Sequence, residues 1–169
     1  LSFHGGLLGI VIAAIIISKF YKTTFFEISD LICVSAPVGI FFGRISNFIN
    51  GELFGRPSNF LIGMKFPNAD NQYRHPSQLY EAFLEGLLLF IILNFLIFKF
   101  KKLKNPGIIS GVFLMLYGLF RFTVEFTREP DIQLGFVYHF FTMGMILSLP
   151  MFLAGILILV IKSNKNDTR

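Results

Sequence analysis

The chain has 169 residues, 54% hydrophobic and 15% charged, with 23 Phe, no Trp and a mean hydropathy of +0.67. Soluble domains carry about 25% charged residues, so the composition points to an all-α, polytopic integral membrane helical bundle. The formal charge of +5 does not imply a nucleic-acid partner. Its cations fall in short clusters between apolar segments, as membrane anchors do, and no basic stripe is interleaved with base-stacking aromatics.

A bilayer crossing takes about 20 mainly apolar residues, and five segments qualify: Phe3–Tyr21, Ile28–Ile49, Ser77–Phe98, Gly107–Phe126 and Tyr138–Ile161. The first reaches that length only if its glycine-rich start is counted. Tight links at 22–27 and 99–106 alternate with longer polar stretches at about 50–76 and 127–137. The longer stretches carry turn signals such as Asn50-Gly51, Arg56-Pro57 and His75-Pro76. There is no internal repeat and no separate soluble domain, so residues 1–169 read as one membrane-embedded domain. The chain starts at Leu1 rather than Met, and the expectation is a chain lacking its N-terminal part. Cys33 lies inside an apolar segment with no metal-type Cys/His spacing. It reads as a small buried hydrophobe, and no metal or other cofactor is expected.

Orientation follows from the cations. Lys19, Lys22, Lys99, Lys101, Lys102, Lys104, Lys162, Lys165 and Arg169 lie at one set of helix ends, whereas the opposite loops hold only Arg56, Lys65, Arg74 and Arg128. The richer side is expected to be cytoplasmic, with the C-terminus there and the first residues outside. His4, Arg44, Glu52, Glu81, Arg121 and Glu125 then all fall at the outer ends of their helices, with only His139 on the last. Such convergence suggests a site open to the outer leaflet.

Each polar group has a functional and a structural reading. His4 opens a glycine-rich helix start, where Gly5 and Gly9 also make a face of small residues suited to helix packing. It can serve as a base near neutral pH or as an interfacial hydrogen bonder. Arg44 and Asn47 share a helix face ahead of the break at Asn50-Gly51. A guanidinium beside amides suits a phosphodiester, and the alternative is an Arg44–Glu52 pair at the interface. Tyr117, Arg121 and Glu125 form a polar stripe at i, i+4, i+8, in which Arg121 and Glu125 can neutralise each other. Ser77 is a candidate N-cap, with Glu81 and Glu85 in the first turns where a helix dipole favours anions.

Gly43 to Gly55 matches the signature Gly-Arg-x-x-Asn-Phe-x-Asn-x-Glu-x-x-Gly of the bacterial prolipoprotein diacylglyceryl transferases, which the chain resembles over nearly its whole length. His4-Gly5-Gly6 is similar to that family's histidine motif. Arg74 to Glu81 is similar to its Arg-His-Pro-Ser-Gln-Leu-Tyr-Glu stretch. Ser110 to Asp131 is similar to its second arginine block, and Met143-Gly144 through Pro150-Met151 to its last helix. Two positions depart from the pattern: Ser46 stands where Gly is usual and Met145 where Gln is expected. The resemblance implies seven transmembrane helices in the whole fold, of which these five would be the last.

It also implies an activity, the transfer of diacylglyceryl from phosphatidylglycerol to the lipobox cysteine of a prolipoprotein. The thioether product forms at the outer leaflet of the bacterial inner membrane, and glycerol phosphate leaves. On that reading the partners are phosphatidylglycerol, the lipobox segment and membrane lipids. His4, Arg44, Arg121 and Glu125 would be catalytic, with Glu52 and Glu125 as alternative bases to His4. Arg44, Asn47, Glu52, Gly55, Glu81 and Tyr117 would bind substrate. A transporter or lipid-binding protein is the competing class, although transport favours polar groups at mid-membrane in broken helices. An alcohol phosphotransferase would need a cluster of Asp, and the four Asp here are dispersed.

Overall fold

The computed structural model describes residues 3–59, 61–130, 136–138 and 141–167, and of 3, 4, 102, 136–138 and 165–167 the backbone alone. Five helices follow the five apolar segments: α1 (Phe3–Phe20), α2 (Phe25–Ile49), α3 (Ser77–Phe100), α4 (Ile108–Val124) and α5 (Met143–Asp167). Helices α2, α3 and α5 are long and apolar enough to span a bilayer. Helix α4, with 17 residues, is about 26 Å long at 1.5 Å per residue, a little short of the roughly 30 Å hydrocarbon layer.

Local chemistry sets the helix ends. Thr24 and Glu27 form a reciprocal capping box at the start of α2, and Gly51, at φ +66°, follows its C-cap Asn50. Helix α3 departs from expectation at its start. Its N-cap is Pro76, with no side-chain cap, and the Ser77 hydroxyl instead donates to the Leu53 carbonyl (3.0 Å), tying the helix to the preceding loop. Residues Ala82–Leu88 of α3 are wound as a π-helix, a form that recurs at functional sites. The last helix begins at Met143, not Tyr138, because residues ahead of it form an antiparallel pair, β1 (Phe136–Tyr138) with β2 (Phe141–Thr142). That pairing was not expected from the apolar run.

Helices α4 and α5 pack backbone to backbone. A Cβ on Gly155 would meet the Met115 amide and, at 2.7 Å, the Gly111 carbonyl, so only glycine allows this approach. Leu89, Leu93 and Ile109 form the fully buried core, with Cys33, Val34 and Tyr117 against it. Cys33 packs against the core as a small hydrophobe, partly rather than fully buried. Gly9 has no described atom within 4 Å of where a Cβ would stand, so the close helix approach expected on this face is not seen at Gly9.

The two ends of the bundle differ in kind. At one end Asp30 of α2 accepts from the Gly107 and Ser110 amides (2.8 Å each) and the Ser110 hydroxyl, capping α4 from a neighbouring helix. Lys162 lies over the Phe26 ring there, 4.1 Å from its centroid. The other end gathers the C-terminal ends of α2 and α4 and the N-terminal ends of α3 and α5 around buried charge.

Candidate functional site

Three helices deliver arginines and glutamates to one buried cluster. Glu81, 1% exposed, lies between two guanidinium groups: its Oε2 is 2.6 Å from Arg44 Nε, and its Oε1 accepts from Arg121 Nη1 at 3.1 Å. Arg128 Nη1 stands 4.0 Å from the same Oε1. The Arg121 Nη2 pairs with Glu125 Oε2 at 3.1 Å. The other Glu125 oxygen accepts from the Thr142 hydroxyl (2.8 Å), whose oxygen in turn accepts from the Met145 amide. Glu125 fits against α5 because residue 144 is glycine: a Cβ there would stand 2.6 Å from the carboxylate.

Glu85 is the exception within the cluster. It is wholly buried, and among the described residues neither oxygen has a hydrogen-bond partner and the nearest cation, Arg121 Nη1, is 3.9 Å away. Arg44 is held differently. Its Nε is anchored on Glu81, and no hydrogen bond or ion pair among the described residues engages Nη1 or Nη2. Its side chain keeps 20% of its surface accessible, so the guanidinium fork remains available to an incoming acceptor.

The loop of residues 50–76 is braced from below. Arg74, 8% exposed, donates to Asp70 (2.8 and 3.0 Å), the Gly55 carbonyl (3.1 Å) and Glu129, and stacks over Phe54. That guanidinium holds the Asp70 carboxyl below the usual carboxylate range, chiefly through the hydrogen bond, and is itself raised by the same partner. Arg56 Nε donates to the Arg128 carbonyl at 2.7 Å. Gly55 joins the two ends of this loop to the segment after α4: its amide donates to the His75 carbonyl (2.8 Å), and a Cβ would strike the Thr127 and His75 carbonyls. Its geometry is that of a scaffold residue.

Of the residues singled out in the sequence, the structure brings Arg44, Glu81, Arg121 and Glu125 into direct contact. Tyr117 is half-buried one turn before Arg121 and stacks on Phe113 (ring centroids 5.7 Å apart). Asn47 is half-buried one turn beyond Arg44, its side chain making no hydrogen bond among the described residues. Glu52 is exposed and forms no ion pair with a described arginine. Its backbone is what is engaged: the amide donates to the Asn47 carbonyl at 2.9 Å, and the carbonyl accepts from Gln78 Nε2 at 2.6 Å. The Arg44–Glu52 pair is therefore replaced by Arg44–Glu81, because α3 brings a carboxylate against α2 at that height. The backbone of His4 opens α1, and its side chain, with Asp131 and His139, lies outside the described residues.

Sequence reasoning missed Glu85, Thr142 and Gly144 as cluster neighbours and gave Arg128 no role. Glu85 was signalled only by its spacing from Glu81, and the other three by nothing local.

The family described as prolipoprotein diacylglyceryl transferase matches residues 1–161. The chain belongs to the prolipoprotein diacylglyceryl transferase family. It is 53% identical over 160 residues to the phosphatidylglycerol–prolipoprotein diacylglyceryl transferase of Rickettsia bellii (strain OSU 85-389), covering 95% of this chain and 61% of the relative. Enzymes of the same name from Rickettsia akari (strain Hartford) and Rickettsia conorii (strain ATCC VR-613 / Malish 7) are 55% and 56% identical over 155 residues, 92% of this chain and 60% of theirs. The chain thus spans about three fifths of the length of the diacylglyceryl transferases it matches.

Proposed function

We propose that this chain carries the phosphate-gripping core of a phosphatidylglycerol–prolipoprotein diacylglyceryl transferase, a single membrane-embedded catalytic domain of the bacterial inner membrane. The observation that carries the reading is the Arg44–Glu81–Arg121 bridge, with the Arg44 fork left unengaged at its terminal nitrogens. A fixed pair of cations in a water-poor setting stabilises charge that develops on a leaving group, and a planar fork matches phosphate oxygens.

In the reaction, the lipobox thiol loses its proton to a base, and the sulfur attacks the glycerol carbon that carries the phosphate ester. A C–S bond forms, the C–O bond to phosphate breaks, and the electron pair leaves with glycerol phosphate. Arg44 and Arg121 take up the added charge. Glu81 holds the two guanidinium groups at one spacing, and Glu125 orients Arg121 from the far side. His4 is the candidate base for a thiol whose ordinary pKa is near 8.5. Asn47 and Tyr117 flank the arginines and suit the hydroxyls of the glycerol headgroup or the lipobox backbone. The exposed Glu52 is placed to meet a polypeptide entering from the loop side, and Gly55 supports that loop.

The excess of Lys at the Asp30 end supports a cytoplasmic placement of that end and of the C-terminus, with the arginine cluster at the outer leaflet. Protein reconstituted with phosphatidylglycerol and a lipobox peptide should give a diacylglyceryl-modified thiol and free glycerol phosphate. Peptide left unmodified, with the lipid intact, would sink the reading.

A further inference from the structure

An apolar groove runs between α4 and α5, lined by Gly118, Leu119, Phe122, Ser148, Leu149 and Phe152, with a cavity volume of about 150 Å³. Its accessible wall is entirely apolar. The one polar side chain on it, Ser148, is turned away, its hydroxyl donating to the Gly144 carbonyl at 2.6 Å. Leu119 and Leu149 on its rim are 44% and 54% exposed, so the groove opens sideways, away from the bundle.

Its position relative to the arginine cluster gives it meaning. Gly118 lies one turn before Arg121 on α4, and Ser148 one turn after Gly144, the residue that abuts the Glu125 carboxylate. Helix α4 ends at the cluster and α5 begins there. Both walls therefore lead from the charged site toward the opposite end of the bundle, by about 5.4 Å per turn. A lipid whose phosphate sits at the arginines must run its chains in that direction, and the groove offers apolar walls along that path.

We propose that this α4–α5 groove is a subsite for an acyl chain of the diacylglyceryl donor. The proposal rests on the reading of the arginine cluster as the phosphate site. Burial of the chain against Phe122, Leu149 and Phe152 adds binding that grows with each methylene within reach, so the groove makes the protein sensitive to donor chain length. Gly118 lets the two helices close beneath the groove, since a Cβ there would strike the Phe152 amide and the Ser148 carbonyl at 2.8 Å, and the inward turn of Ser148 keeps its hydroxyl off the wall.

The test compares kcat/KM for phosphatidylglycerol with long (sixteen-carbon) and short (six-carbon) acyl chains, in detergent micelles with a lipobox peptide as acceptor. Leu149→Trp and, on the facing wall, Leu119→Trp fill the groove from exposed positions, so one serves if the other misfolds. Leu157→Trp, two turns along α5, is the control. The groove-filling variants are expected to lower the long-to-short ratio of kcat/KM by about tenfold, while Leu157→Trp keeps the parent ratio. An unchanged ratio in both filled variants would overturn the proposal and leave the groove to bulk lipid or to another helix. If the parent protein transferred neither donor, the catalytic reading itself would fail, and the subsite with it.

Discussion

Glu81 is the residue on which the account turns, because one carboxylate serves two arginines from two other helices. Its removal takes from Arg44 the one carboxylate that engages it among the described residues and leaves Arg121 with Glu125 alone at close range, and breaking a buried pair in this way costs about 3–5 kcal/mol. Glu81→Gln should therefore lower the unfolding temperature as well as transfer activity, measurable by thermal unfolding in detergent beside a rate assay. Normal values of both would show that the bridge is dispensable. Glu85 should behave in the opposite sense. Its two buried oxygens accept no hydrogen bond among the described residues and cost stability, so Glu85→Met, which removes both at similar length, should raise the unfolding temperature, by about 1 kcal/mol of stability. A drop would mean that the carboxylate holds Arg121 more firmly than 3.9 Å implies. In sequence, Arg44, Arg121 and Glu125 were legible as a convergent set, because charge at the ends of apolar helices marks itself. Glu81 belonged to that set too, but its place between the two arginines was not legible. Whether Glu81 or Glu52 faces Arg44 depends on the height at which α3 stands beside α2, and no local spacing encodes it.

At the scale of elements, the five helices were readable from apolar length, and the end of α2 from Asn50-Gly51. Its start was not: residues 22–27 read as a link, yet Thr24 and Glu27 cap a helix that begins at Phe25. The start of α5 was misread because Phe136–Thr142 is as apolar as a helix turn, yet Phe136–Tyr138 pairs in antiparallel fashion with Phe141–Thr142. The π-helical stretch of α3 left no sequence signature. Helix packing was only partly visible: Gly155 carries the α4–α5 contact, whereas Gly5 and Gly9 were the small residues that stood out. Gly155→Val should cost about 1–3 kcal/mol through overpacking, read as loss of the folded fraction on mild heating. Asp30 was passed over in sequence, although it caps α4 from α2. Asp30→Ala leaves those amides without an acceptor and should destabilise by about 1–2 kcal/mol, whereas Asp30→Asn should recover part of the loss.

At the scale of the molecule, the bundle separates its tasks by end, with anchoring cations and the Asp30 cap at one end and the arginine cluster under the braced loop at the other. The brace is pH-sensitive. Asp70 is held below its ordinary range by Arg74, so its contribution is present above the unfolded carboxylate value and is lost as pH falls through the lower folded value. Proteolysis of the 57–74 loop should therefore stay slow at neutral pH and accelerate only in strong acid, and Asp70→Asn should show the accelerated rate at neutral pH.

The central claim is that Arg44 grips the donor phosphate through the fork left unengaged beside Glu81. The most direct measurement is kcat/KM for phosphatidylglycerol in Arg44→Lys, which keeps the charge and removes the fork. A fall of roughly a hundredfold or more, with the protein still folded, is the expected result. Transfer at the parent rate would contradict the account.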